Sequence, residues 1–192
     1  MRGYSDRKWS MENHGVLTSM RFKHAIWAIA LLLLTSGCYA TITGTVFDAE
    51  TGEPIEGAVV LVEWTRTKGL GLTYTESYKV IETVSDKEGK VMISGTFNPL
   101  VNPPEVTVYK KGYVAWNNKF IFPEYNKRED FKWQNNYVVR LEHFKPEYSY
   151  DEHVSFIHGS INYGLPGSEK KLMEEAIRRE QLKALEERQK AK

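Results

Sequence analysis

Cysteine is almost missing from this chain. Cys38 is the only one in 192 residues, so no internal disulfide can staple the fold, and a stable core has to come from apolar packing. An excess of one charge is missing too. The 26 Lys and Arg against 25 Asp and Glu give a formal charge of +1, and without the first 37 residues the balance becomes 21 against 23. Neither figure provides the basic footprint that binds phosphate backbones, so no nucleic-acid partner is expected. Long hydrophobic runs are absent: Ala25 to Leu34 is ten residues, about half of what a membrane-spanning helix requires. Histidine is scarce, and only His143, His153 and His158 follow Cys38. None opens an H-x-x-E pair, the spacing that gives a catalytic zinc two of its three protein ligands. No Ser-His-Asp or Cys-His grouping can be placed either, so neither a catalytic residue nor a cofactor is expected.

What the first third of the chain does contain is a leader. Arg21, Lys23 and His24 precede the apolar run, and small residues, Ser36 and Gly37, follow it directly before Cys38. A basic segment, a short apolar segment and small residues is the layout of a secretory signal. Leu34-Thr35-Ser36-Gly37-Cys38 resembles a bacterial lipobox, with Thr35 where leucine is more usual. That resemblance implies a thioether-linked lipid on Cys38 and a membrane as the first partner. At about 0.8 kcal/mol per buried CH₂, several acyl chains hold a protein firmly. Tyr39 is not an aspartate, which by the same resemblance implies the outer membrane of a bacterial envelope.

From Thr41 the pattern changes to strands. Ile42, Gly44 and Val46 alternate with Thr41, Thr43 and Thr45, the period of a strand with one buried face. Asp48 to Pro54 gathers turn residues, and Ala58, Val60, Val62 and Trp64 then share one face while Val59, Leu61 and Glu63 share the other. Neither strand can bury its apolar face alone, so a second sheet is required. Strands are further expected over Thr75 to Ser85, Lys90 to Ser94, Val106 to Lys110 and Tyr137 to Leu141.

The motifs Ile42-x-Gly44-x-Val46-x-Asp48 and Thr51-Gly52-x-Pro54-Ile55-x-Gly57-Ala58-x-Val60-x-Val62 resemble the opening of the carboxypeptidase regulatory-like domain. Thr83-Val84-Ser85-Asp86-Lys87-Glu88-Gly89 resembles its T-x-T-D-x-x-G hairpin, and Val108-Tyr109-Lys110-Lys111-Gly112-Tyr113 its V-x-K-x-G-Y strand. The resemblance implies an all-β fold, a prealbumin or transthyretin-like antiparallel β-sandwich of about seven strands, followed by a C-terminal helix. It implies a scaffold and no activity, because such domains are accessory modules. The chain then divides into an extension with signal peptide (1–37), a lipidated N-terminus (38–40), the sandwich (41–143), an irregular extension (144–167) and a charged helical tail (168–192).

Three further segments carry candidate function. Phe120 to Asn136 interleaves five aromatics with charges. Tyr125, Phe131 and Trp133 are the candidate contacts for an envelope protein or glycan partner; the alternative is that these rings cap an open end of the sandwich. Asp48, Glu50, Asp86 and Glu88 lie in two turns and have the hard oxygens that suit Ca²⁺, or are acidic only because turns are solvated. Gly52, Pro54, Ala58 and Trp64 also echo the opening of intradiol dioxygenases, whose resemblance implies iron on tyrosines and histidines; His153 and His158 are the candidates for a metal enzyme. If both lay on one strand, a separation of five residues would put their rings on opposite faces. Finally, Ser168 is a candidate cap for a helix from Glu169 to about Arg188. Its narrow stripe of Leu172, Ala176, Ile177 and Leu185 favours a helix lying in solvent; the alternative is one that binds a partner.

Overall fold

A computed structural model describes residues 41–95, 98, 100–165 and 169–190. In chain order the strands are β1 (Thr41–Asp48), β2 (Val59–Lys68), β3 (Tyr74–Val84), β4 (Lys90–Ser94), β5 (Glu105–Tyr109), β6 (Trp116–Asn117), β7 (Phe120–Ile121), β8 (Asn126–Lys127) and β9 (Tyr137–Leu141). Two helices follow, α1 (Tyr150–Ser160) and α2 (Lys171–Lys190). Cys38 and the leader lie outside the described residues, as does Ser168. Among the described residues no helix is long and apolar enough to cross a membrane.

Strand β2 determines the architecture because both of its faces are apolar, the mark of a strand covered on both sides. It lies inside a four-stranded sheet of order β3-β2-β5-β6. Val60, Val62 and Trp64 face a three-stranded sheet of order β4-β1-β9 and meet Val46, Val91, Ile93 and Val139 there. Val59 and Leu61 face the other way, into a second core with Tyr109, Phe156, Met173 and Ile177. The result is three layers: sheet, sheet and helix pair.

Two expectations change. The sandwich is not wholly antiparallel, because β1 pairs β4 antiparallel but β9 in parallel, with Gly44 opposite Tyr137 and Asp48 opposite Leu141. Nor is the domain all-β with one helix in solvent. The stretch after Leu141 contains α1, and α2 buries Met173, Ile177, Glu180 and Ala184, the first two in the core behind Val59 and Leu61 of β2. Leu172 and Leu185, which the sequence stripe placed inward, are 41% and 52% exposed.

Each helix start is received by a carboxylate from a neighbouring element. The Leu172 and Met173 N–H groups donate to Glu82 of β3. In α1, Ser149 accepts from the Asp151 and Glu152 N–H groups, and Glu187 of α2 accepts from Tyr150 and Asp151. The first-turn N–H groups have no partner within a helix, and negative charge there is favoured by the helix dipole. These bonds pin α2 to the sheet and α1 to α2.

Candidate functional site

Phe131 and Trp133 come together over the opening between the two sheets. Trp133 lies edge-on to Trp64 with centroids 6.1 Å apart, and Phe131 lies edge-on to Tyr137 at 4.9 Å and Trp116 at 5.7 Å. The Arg128 guanidinium sits over the Trp116 ring at 4.8 Å and is fixed by a bond from Nε to the Asn117 carbonyl. Such edge-on and cation–π arrangements favour a rigid cluster. The rings line a partly open apolar cavity of about 40 Å³, together with Ile42, Val46, Val106 and Tyr137 among others. That space is far below the roughly 150 Å³ that holds a benzene ring. The segment therefore covers this opening of the sandwich.

The three candidate rings do not share one surface. Phe131 is half-buried and backs Trp133, which is 37% exposed. Tyr125 stands apart from them, with a left-handed φ of 58° in the turn between β7 and β8. It is 48% exposed and packs edge-on against Phe156 of α1 at 5.2 Å.

The histidines sit on a helix and not on a strand. Five residues along an α-helix separate two side chains by about 140° around the axis, so His153 and His158 diverge. His153 is fully buried. Its Nε2 accepts the Ala115 N–H at 2.9 Å, which leaves the proton on Nδ1, donated to Glu180 at 2.6 Å. The same carboxylate accepts the Tyr109 hydroxyl at 2.8 Å. The ring is thus neutral, and both of its nitrogens are committed. The Tyr109 hydroxyl is held protonated well above its usual range by burial and by the Glu180 charge. His158 stacks on Tyr163 with centroids 4.2 Å apart, and burial lowers its pKa. Among the described residues no group of three His, Cys, Asp or Glu is placed to hold a metal ion.

The acidic turns have internal partners as well. Asp48 Oδ1 accepts from the Glu50 and Thr51 N–H groups, and Oδ2 meets the Tyr113 hydroxyl and His143 Nε2, each at 2.9 Å. Asp86 Oδ1 accepts from Glu88 and Lys90. The Oδ1 bonds form the turns, the Asp48 Oδ2 bonds reach distant residues, and among the described residues no converging set of oxygens is placed for Ca²⁺. Two motifs of the sequence resemblance therefore meet physically, since Asp48 ends one and Tyr113 ends the other. Ser85 clamps a third: its hydroxyl donates to the Ile55 carbonyl at 2.6 Å and accepts the Ala58 N–H at 2.8 Å. At Gly89 the φ is 72°, and an added Cβ would lie 2.4 Å from the Val46 carbonyl, so this turn requires glycine.

The Asp48 bonds set a pH dependence. The Thr51 N–H, then the Glu50 N–H and the Tyr113 hydroxyl, hold the carboxyl down to about 2 against the opposing effect of burial. A pKa lowered by folding stabilises the fold above the unfolded value and ceases to do so as pH falls through the folded one. Acid unfolding followed by Trp fluorescence should show a component between about pH 4 and pH 2. Asp48→Asn should remove that component, and an unchanged acid limb would refute the assignment.

Two other polar features were not legible from the sequence. Glu63 and Glu105 lie opposite each other on β2 and β5 and are both buried. Lys170 pairs with Glu63 at 3.1 Å, Lys119 with Glu105 at 2.6 Å, and the Asn162 amide bridges the two carboxylates. The second feature is a cleft of about 200 Å³ lined by Lys111, Phe144, Tyr150, Arg179, Glu180 and Lys183. Three cations, Lys111, Arg179 and Lys183, line it together with Glu180. The cleft depends on α2 and the Glu63 pair on Lys170, the residue just before it, and the docking of that helix was not shown by the sequence pattern.

No family model matches the chain, and no curated protein matches it in sequence. Solved structures give a distant likeness only. A variant of the shaft pilin SpaA from Lactobacillus rhamnosus GG is similar over 55% of this chain and 48% of its own, with 16% identity and a TM-score of 0.32. A streptococcal ancillary pilin is similar over 56% of this chain and 30% of its own, with 14% identity and a TM-score of 0.29. The chain thus spans about half the length of the shaft pilin or less.

Proposed function

We propose that this protein is a non-catalytic module of a bacterial cell envelope, lipid-anchored at Cys38, in which a carboxypeptidase regulatory-like sandwich holds a protein or glycan partner. The supporting observation is how the side chains are used. The imidazoles and carboxylates with chemistry to offer are committed to joining elements: His153 and Glu180 join the helices to β5, and Asp48 and His143 join the first turn to the strand-end motif. Trp133, in contrast, presents an exposed ring on a rigid backing of Trp64 and Phe131. Aromatic side chains already held in place lose little freedom on binding and are favoured as anchors of interfaces.

A pull-down from envelope extract tests this. The intact chain should retain a partner that Trp133→Ala loses while keeping its β-type circular dichroism. A partner retained equally by both would remove Trp133 from the interface.

A further inference from the structure

Leu70 and Leu72 are 104% and 92% exposed, and with Tyr74 at 58% they form the tip of the β2–β3 hairpin. Sandwich loops seldom spend leucines this way, and a contiguous exposed apolar group marks a docking surface. The tip is shaped rather than slack. Gly69 has a φ of 106°, and a Cβ there would lie 2.1 Å from the Leu72 carbonyl. Arg66 and Lys68 both pair with Glu76 just behind the leucines.

Topology places this tip. Thr41, the first residue of β1, is in register with Ser94, the last of β4. The Lys79 ammonium reaches the Ser94 carbonyl, and Lys79 is opposite Trp64. Trp64 is thus near the Thr41 end of the sandwich, and β2 continues four residues past it to Lys68. At a strand rise of about 3.3 Å per residue, the hairpin projects roughly 13 Å beyond that end. Leu100, 83% exposed, lies in a loop at the same end, where the Asn102 N–H bonds the Thr65 carbonyl. At the opposite end the turns at 49–54 and 86–89 expose acids and no large apolar side chain.

Cys38 precedes Thr41 by three residues, a chain reach of about 10 Å. An anchor at Cys38 therefore puts the bilayer surface at the very end from which the leucines project. We infer that the β2–β3 hairpin tip, Leu70 and Leu72 with Tyr74, inserts into the lipid interface as a second membrane contact that fixes the orientation of the domain. The inference rests on the Cys38 anchor of the proposed function. Lys68 and Arg66 against one Glu76 leave a positive collar behind the leucines, at the height of anionic headgroups. Trp133, beside Trp64, is set back by the length of the hairpin and stays clear of the hydrocarbon for its partner.

The test uses the full-length protein extracted from bacterial membranes and reconstituted in phosphatidylethanolamine–phosphatidylglycerol vesicles that carry lipids spin-labelled on the acyl chain. Leu70→Cys supplies a thiol for an environment-sensitive fluorophore, and Lys87→Cys in the opposite turn supplies the control. A parallel arm reads palmitate-analogue labelling of wild type and Cys38→Ala. The label at position 70 should shift to the blue and lose most of its emission, whereas that at 87 should keep its own. Equal emission at the two positions in a palmitate-labelled protein overturns the hairpin contact and leaves the anchor standing. Absence of palmitate on wild type overturns the anchor. The hairpin contact then falls as well unless position 70 is still quenched on vesicles.

Discussion

Replacing His153 with alanine is expected to cost the fold about 3–5 kcal/mol, read as a lower urea midpoint with an unchanged slope. The ring is fully buried and touches three elements at once: it accepts from Ala115, donates to Glu180 and, through that carboxylate, is joined to Tyr109. Removal leaves a buried N–H without an acceptor and a buried carboxylate with one donor fewer, each of which costs more than an average hydrogen bond contributes. It also opens a cavity between Phe122 and Phe144, whose rings lie 5.0 Å from the imidazole. Because His153 and Glu180 act together, the double change with Glu180→Ala should cost clearly less than the two single changes added. Additivity would mean that the two side chains do not form one network.

Ile177→Ala should lower stability by about 2–5 kcal/mol, while Leu182→Ala and Leu185→Ala stay within about 0.5 kcal/mol of wild type. Ile177 is completely buried in the cluster that holds Leu61, Phe156 and Met173, whereas Leu182 and Leu185 are 56% and 52% exposed. A helix merely lying in solvent would give three small and similar values. Urea unfolding of the three variants separates these outcomes.

The reading of α2 shows where sequence pattern stops being informative. Its buried row is Met173, Ile177, Glu180 and Ala184, spaced as helix neighbours but interrupted by a charged residue. Glu180 is admitted only because Tyr109 and His153, some 70 and 30 residues away in sequence, donate to it. No local pattern records such distant donors, so the stripe of Leu172, Ala176, Ile177 and Leu185 finds the inward side at Ile177 and Ala176 and misses it at Leu172 and Leu185. The strands were legible for the opposite reason. Alternation along Ala58 to Trp64 is a local property, and both faces found apolar partners. Even there the sequence showed a second apolar face, at Val59 and Leu61, without showing what covers it.

The aromatic segment was legible in composition and not in arrangement. Five rings between Phe120 and Asn136 predicted either a platform or a cap, and Phe131 serves the cap while Trp133 remains partly outside. Tyr125 could not be separated from them by spacing, since its packing on Phe156 depends on a helix in a stretch that had no periodicity to announce it. Parallel pairing of β9 with β1 was hidden as well, because an alternating strand reads the same in either direction.

In the proposed arrangement Cys38, three residues before β1, holds the sandwich on a membrane, with a binding ring and a leucine-tipped hairpin at the anchored end. Metabolic labelling of the full-length protein with a palmitate analogue tests it most directly. The account predicts label on wild type and none on Cys38→Ala. Equal label on the two, or none on either, would contradict it.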